Sequence, residues 1–164
     1  MTLAIIAAHD PNLVIGANGE LPWYYKEDMR YFKRKTQGHP VIMGRGVFEE
    51  IGKKPLPGRK NIVLTKSKSY PEKEVITCSS IEETLKHTAG ENLIFIIGGG
   101  EVYHQMIDSA DLLYITEIHQ EYEGDTYFPE YRHQIGTVWE EIQREDKPKY
   151  SFVLYKRKNP IAEV

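Results

Sequence analysis

The sequence predicts an α/β fold: one domain over residues 1–164, a three-layer sandwich with a mostly parallel central sheet, antiparallel at its C-terminal edge, and helices on both faces. Three observations lead there. Short apolar, β-branched runs alternate with stretches of helical period. Several of those runs are apolar on both faces, as strands between two helical layers must be. The last two strand-like runs follow one another with no helix between them, which requires antiparallel pairing.

In chain order, "LAIIAA" (3–8) is the first strand; it is far shorter than the ~20 residues of a membrane span and lacks a basic flank. "ANGELPW" follows as a loop, and "YKEDMRYFKRKT" (25–36) has helical period. "PVIMG" (40–44) is a strand and "GVFEEIG" a helix; "GKKPLPGRK" is a loop stiffened by two prolines. "NIVLT" (61–65) and "EVITC" (74–78) are strands, and Ser80 with Glu83 forms a capping box for the helix in "SIEETLKHT". "NLIFIIG" (92–98), "GEVYHQMIDSA" and "DLLYITEI" (111–118) read as strand, helix, strand. "TVWEEIQRE" and "SFVLYKRK" close the sheet.

The net charge is −3 and the basic residues are scattered, with Lys33, Arg34 and Lys35 the densest run. Nucleic-acid binding would want a larger basic surface, so no nucleic-acid partner is expected. Cys78 is the only cysteine, which excludes an intrachain disulfide and fits a reducing, cytoplasmic setting; it reads as a small core hydrophobe. The six histidines show no short ligand spacing, and no metal is expected. No membrane association is expected either, and a monomer is the default.

The stretch "LPWYYKEDMRYF" sets two carboxylates side by side. On a helix, Tyr24, Tyr25, Tyr31 and Phe32 fall within about 60° of Asp28, with Met29 at about 100°. Glu27 lies on the other side, where it can pair with Arg30 and sits beside Arg34. Asp28 therefore faces inward. A buried carboxylate without partners costs several kcal/mol, so either a ligand with N–H donors offsets the burial or Asp28 merely caps a helix that begins later.

"FIIGGGEVY" (95–103) is a strand running into three glycines and a helix, and "MGRG" (43–46) repeats the arrangement. Exposed backbone N–H groups at a helix start suit a phosphate, although each motif alone also serves as a tight turn. Two of them at strand C-termini point to a dinucleotide. Arg45, with Thr65 and Lys66 after the next strand, can cradle one more phosphate. Arg59, in the stiff "PLPGRKN" loop, is either aimed at a carboxylate or an ordinary surface arginine. Asp125 and Thr126 in "EGDTYFP" organise a loop or cap a turn.

Taken in order, "VIGANGELPW", Asp28 with "YFKR", "HPVIMGR", "PLPGRKNIVLT", "FIIGGGEVY", "LYITEI" and "EGDTYFP" resemble the bacterial dihydrofolate reductases over nearly the whole chain. The resemblance implies an eight-stranded sheet flanked by four helices. It also implies reduction of dihydrofolate by NADPH, a place in one-carbon metabolism, and a target for antifolates. In it, Asp28 grips the pterin ring but lies at the wrong edge to protonate the reacting nitrogen. An ordered water admitted past Leu21 does so, with Thr116 bonded to the carboxylate or its water and Trp23 holding a second water. Ile6, Ala8, Leu21, Met29, Phe32, Ile51, Leu56, Ile97, Tyr103 and Thr116 would line the substrate cleft, with Arg59 on the glutamate tail.

For the cofactor, the resemblance implies Ala8, Ile15, Gly16, Gly19 and Leu21 on one side and Gly44, Arg45, Gly46, Val47, Leu64, Thr65 and Lys66 on another. Ile97, Gly98, Gly99, Gly100, Glu101, Val102, Tyr103, Gln105 and Thr126 would complete it. Gly98 and Gly99 match a pair joined by a cis peptide, and Gly99 is expected to tolerate no side chain. Residues 16–23 resemble a lid, with Asp125 its partner.

Four features depart from the family pattern. Gly46-Val47 lacks a basic residue and a hydroxyl, which implies weaker cofactor binding. Tyr25-Lys26 alters the entry to the first helix, Glu101 adds negative charge near phosphates, and an extra lysine lengthens "GKKPLPGR". A reductase of the same fold acting on another pyrimidine-like substrate, such as a riboflavin precursor, and a non-catalytic nucleotide-binding module are the alternatives. Asp28 and Arg59 together argue against both.

Overall fold

The computed structural model describes residues 1–66, 70 and 74–159. The strands are β1 (Thr2–His9), β2 (Val14–Gly16), β3 (Val41–Gly44), β4 (Asn61–Leu64), β5 (Val75–Cys78), β6 (Leu93–Gly98), β7 (Leu112–Ile118), β8 (Thr126–Tyr127), β9 (Trp139–Asp146) and β10 (Tyr150–Arg157). The helices are α1 (Lys26–Thr36), α2 (Arg45–Glu50), α3 (Ile81–His87) and α4 (Gly100–Met106). The main sheet has eight strands in the order β5-β4-β3-β6-β1-β7-β10-β9. Pairing is parallel from β5 to β7 and antiparallel at β7–β10 and β10–β9.

Alternation along the strands assigns the two faces. Leu3, Ile5, Ile42, Ile94, Ile96, Leu113 and Ile115 pack with Val102, Tyr103 and Met106 of α4 and with Ile81 of α3. Ala4, Ile6, Val41, Met43 and Phe95 point the other way and pack with Tyr31 and Phe32 of α1 and Phe48 of α2. Strands with a helical layer on each side have no solvent face, which is why they read as continuous apolar runs.

Several local expectations are corrected. A second, two-stranded sheet, β2–β8, joins the base of the lid to the 123–129 loop. Its strands are too short for periodicity to reveal. The first helix starts at Lys26, with Tyr25 in extended conformation as its N-cap. Tyr24 therefore precedes the helix, escapes its phase and is 75% exposed. Ser80 Oγ accepts from Glu83 N at 3.1 Å, but the Glu83 carboxylate accepts from Ser79 N rather than from Ser80 N, so the capping box closes one residue early. Glu27 pairs with neither Arg30 nor Arg34: Tyr150 Oη donates to it at 2.9 Å, and Lys147 Nζ is 4.0 Å away.

Candidate active site

The strands end on one side of the sheet, and a cleft of about 1400 Å³ opens there. Its floor includes Ile6 and Ala8 from β1, Ile97 from β6 and Thr116 from β7. One wall is α1, which presents Asp28, Met29 and Phe32; the facing wall carries Ile51, Leu56 and Arg59. Asp28 reaches the floor because α1 turns Tyr31 and Phe32 into the core on the same side, as its helical phase requires.

Thr116 Oγ1 donates to Asp28 Oδ1 at 2.7 Å. Burial pushes the Asp28 carboxyl above the usual carboxylate range, and this hydrogen bond pulls in the opposite direction. Among the described residues, Thr116 is the only hydrogen-bond partner of that carboxylate, so Oδ2 is available to a ligand. Arg59 is aimed from two sides: Nε donates to Pro57 O of its own loop and Nη1 to the buried Thr36 Oγ1 at the end of α1, both at 3.0 Å. These bonds leave Nη2 for an acceptor in the cleft.

Two glycine-rich turns meet at the other end. Gly44 begins α2 and Gly99 begins α4, and neither helix has a side-chain cap. A Cβ built on Gly44 would lie 3.7 Å from Gly99 N, so the turns stand against one another as one cradle. The Gly98–Gly99 peptide is cis. Gly46 has open space where a side chain would be. Arg45, Val47, Leu64, Thr65, Lys66, Gly100, Glu101, Val102, Tyr103 and Gln105 continue the lining, with Ile15, Gly16, Gly19, Leu21 and Thr126 over the opening. Tyr103 Oη donates to Ile6 O at 2.8 Å, which fixes α4 to the cleft floor.

The lid is tethered at several points. Asp125 Oδ2 accepts from Asn18 N at 3.0 Å, and Asp125 N donates to Gly16 O at 2.9 Å. Asp10 is fully buried; its Oδ1 accepts from Asn12 N and Val14 N and its Oδ2 from Tyr122 N. It thereby clamps the start of the lid to the loop beneath it. Nothing in the sequence singles out Asp10, because its partners are backbone groups.

Of the residues assigned from sequence, Trp23 alone is not brought to the cleft wall. It is 7% exposed, its ring lies against Tyr122, and its indole N–H is buried without a protein partner. The structure adds Glu20, Glu50, Ser79, Ser80 and Ile81 to the lining. The last three belong to the start of α3, and the Ser80 cap was the signal that could have located them.

The family model for dihydrofolate reductase matches residues 2–157. The chain belongs to the dihydrofolate reductase family. It is 41% identical to the dihydrofolate reductase of Bacillus subtilis (strain 168), over 96% of this chain and 95% of that one. It is 44% identical to the Staphylococcus aureus dihydrofolate reductase, over 87% of each. The fold superposes on a dihydrofolate reductase from Enterococcus faecalis complexed with NADP(H) and RAB-propyl with a TM-score of 0.85. That pair is 36% identical, covering 96% of this chain and 97% of the other. The eight-stranded mixed sheet with four helices is thus the dihydrofolate reductase fold.

Proposed function

We propose that this cleft carries out NADPH-dependent reduction of dihydrofolate to tetrahydrofolate, with Asp28 as the residue that grips the pterin. The observation that carries the proposal is the pairing of two prearranged groups. Asp28 is a half-buried carboxylate held, among the described residues, by a single hydroxyl, and Arg59 is a guanidinium fixed by two hydrogen bonds. One end of the cleft asks for an amidine and the other for a carboxylate.

Asp28, once ionised, accepts two N–H donors from the pterin edge and orients the ring. Ile6, Ala8, Phe32, Ile51, Leu56 and Ile97 exclude water from its faces, and Met29 covers the mouth. Thr116 holds the carboxylate in place. The proton for the ring nitrogen comes by way of water passing Leu21, because Asp28 is at the far edge.

The paired glycine turns fit a pyrophosphate: their backbones approach closely, and a side chain at Gly44 would press on Val102 Cγ2 at 3.2 Å. Gly44, Arg45, Gly46, Val47 and Gly98 to Glu101 would hold the phosphates of NADPH, and Arg45, Thr65 and Lys66 the phosphate that separates it from NADH. Ala8, Ile15, Gly16, Gly19, Leu21, Tyr103 and Thr126 would surround its nicotinamide end, with Leu64, Val102 and Gln105 beside the rest. When bound, the cofactor supplies the hydride.

The enzyme acts as a cytoplasmic, single-domain monomer: the two larger core clusters pack on the two faces of one sheet, and three of the exposed large hydrophobics, Leu21, Tyr24 and Met29, belong to the cleft. Among the described residues, no helix is long and apolar enough to cross a membrane. Following NADPH absorbance tests the reaction: loss only when dihydrofolate is added, and much slower loss with NADH, is expected. Oxidation independent of dihydrofolate, or equal kcat/KM for the two nucleotides, overturns it.

A further inference from the structure

At the β5 edge of the sheet lie three side chains that the reductase chemistry does not use. Cys78 ends β5, and Glu83 and His87 stand four residues apart on α3, one above the other on the same face. The Cys78 Sγ, a Glu83 carboxylate oxygen and a His87 ring nitrogen all lie within 4.8 Å of one another. Sequence spacing hid the group, because the strand-to-helix turn supplies the third member.

Among the described residues, neither the Cys78 thiol nor the His87 imidazole makes a hydrogen bond. Glu83 uses Oε2 to accept from Ser79 N at 2.8 Å and from Ser79 Oγ at 3.1 Å, which leaves Oε1. Those two bonds, with His87 nearby, hold the Glu83 carboxyl below its usual range, so it is ionised at neutral pH. Cys78 is 1% exposed and packs in the core, but it ends the edge strand β5, and His87 beside it is exposed.

We propose that Cys78, Glu83 and His87 form a site for one divalent transition-metal ion of the zinc class, with water as the fourth ligand. A thiolate, an imidazole and a carboxylate are the donor types such ions select. Tetrahedral arms of roughly 2.0–2.3 Å put donors roughly 3.5 Å apart. The cluster therefore closes by about an ångström, through rotamer changes at His87 and Glu83 while Cys78 stays fixed. On binding, the Cys78 S–H bond is replaced by a sulfur–metal bond and the proton leaves to solvent, with no change of oxidation state. Three ligands and a water hold the ion less tightly than the four-ligand structural zinc sites do.

Cobalt titration of the chelator-stripped, reduced protein tests the site. One equivalent of Co²⁺ should bind with a thiolate-to-cobalt charge-transfer band, and Zn²⁺ should bleach it. Cys78→Ser should abolish the band. His87→Ala alters an exposed residue and should fold normally, yet weaken Co²⁺ binding at least tenfold. His133→Ala, at an exposed histidine outside the cluster, should change nothing. Absence of the band in the unmodified protein overturns the site. So does a band of unchanged affinity in His87→Ala, or weak binding without a sulfur signature, which would mark adventitious histidine binding.

Discussion

Thr116 and Asp28, 88 residues apart in sequence, meet at the cleft floor in a 2.7 Å hydrogen bond between hydroxyl and carboxylate. The bond joins a central strand to the first helix, so the position of the carboxylate is set by the sheet as well as by α1. A buried hydroxyl that stabilises the charged form, opposed by burial that disfavours it, leaves a carboxylate ready to ionise against a cationic or N–H-bearing partner.

Asp28→Asn should lower kcat/KM at neutral pH by about two to four orders of magnitude, with partial recovery as pH falls and substrate arrives already protonated. It should also raise the melting temperature of the ligand-free protein at pH 7. The sign follows from linkage: the folded-state pKa of Asp28 is raised, so the native state carries an ionisation penalty. That penalty is absent below the unfolded carboxylate value and complete above the folded one. The gap between variant and parent should close near about pH 4. Glu27→Gln removes only a half-exposed pairing with Tyr150 and Lys147. It should cost a few tenths of a kcal/mol at most and leave catalysis intact. Urea melts alongside steady-state kinetics on both variants check the pair; if Glu27→Gln is the crippled one, the site assignment fails.

Thr116→Val keeps the volume of a side chain that is 2% exposed and removes its donor. The Asp28 carboxyl should titrate still higher, since the lost bond favoured the charged form. KM for dihydrofolate should rise about tenfold to a hundredfold, the worth of one hydrogen bond to a charged group, with a smaller change in kcat. Carbon-13 titration of the Asp28 carboxyl separates this from general damage: no upward shift would mean that Thr116 serves only the core.

The fold was legible because both helical layers impose a simple pattern. Strands such as β1 and β6 are apolar on both faces, and the helices between them keep a clear period. Asp28 was legible for the same reason: α1 from Lys26 onward obeys its phase. Tyr24 was misplaced because one residue decides whether the helical rule applies. The partners of Glu27 were missed because β9 and β10 return beside α1 from more than a hundred residues away. Asp10 and the Cys78–Glu83–His87 group stayed hidden because backbone partners and turn geometry leave no spacing signal.

The glycine pair separates fold from function. Gly99 is expected to exclude a side chain on account of the cofactor and not of the fold: within the protein a Cβ there would touch only Val47 Cγ2, at an ordinary 3.7 Å. Gly98 differs, with φ of +130° and a Cβ 3.2 Å from Val47 Cγ2. Gly98→Ala should therefore destabilise by about 1–3 kcal/mol. Gly99→Ala should melt like the parent and lose NADPH affinity at least tenfold, because the methyl enters the phosphate cradle. Calorimetry and NADPH titration on both variants decide this; an unchanged NADPH Kd in Gly99→Ala would place the phosphates elsewhere.

Arg59 gives the sharpest test of the substrate. Its Nε and Nη1 are held by Pro57 O and Thr36 Oγ1, so the guanidinium plane is set before any ligand arrives. Burial lowers its pKa somewhat, but a guanidinium remains charged at any working pH. Lysine at this position keeps the charge and loses the fork: it can neither hold both Pro57 O and Thr36 Oγ1 nor meet a carboxylate through two parallel bonds. Arg59→Lys should raise KM for dihydrofolate about tenfold to a hundredfold, in line with one or two charge-assisted bonds, and leave kcat within a few-fold. A dihydropterin without the glutamate tail should be reduced equally well by both proteins, since nothing on it reaches residue 59. If the tail-less substrate loses as much as dihydrofolate does, Arg59 is bracing the wall of the cleft and the carboxylate end lies elsewhere.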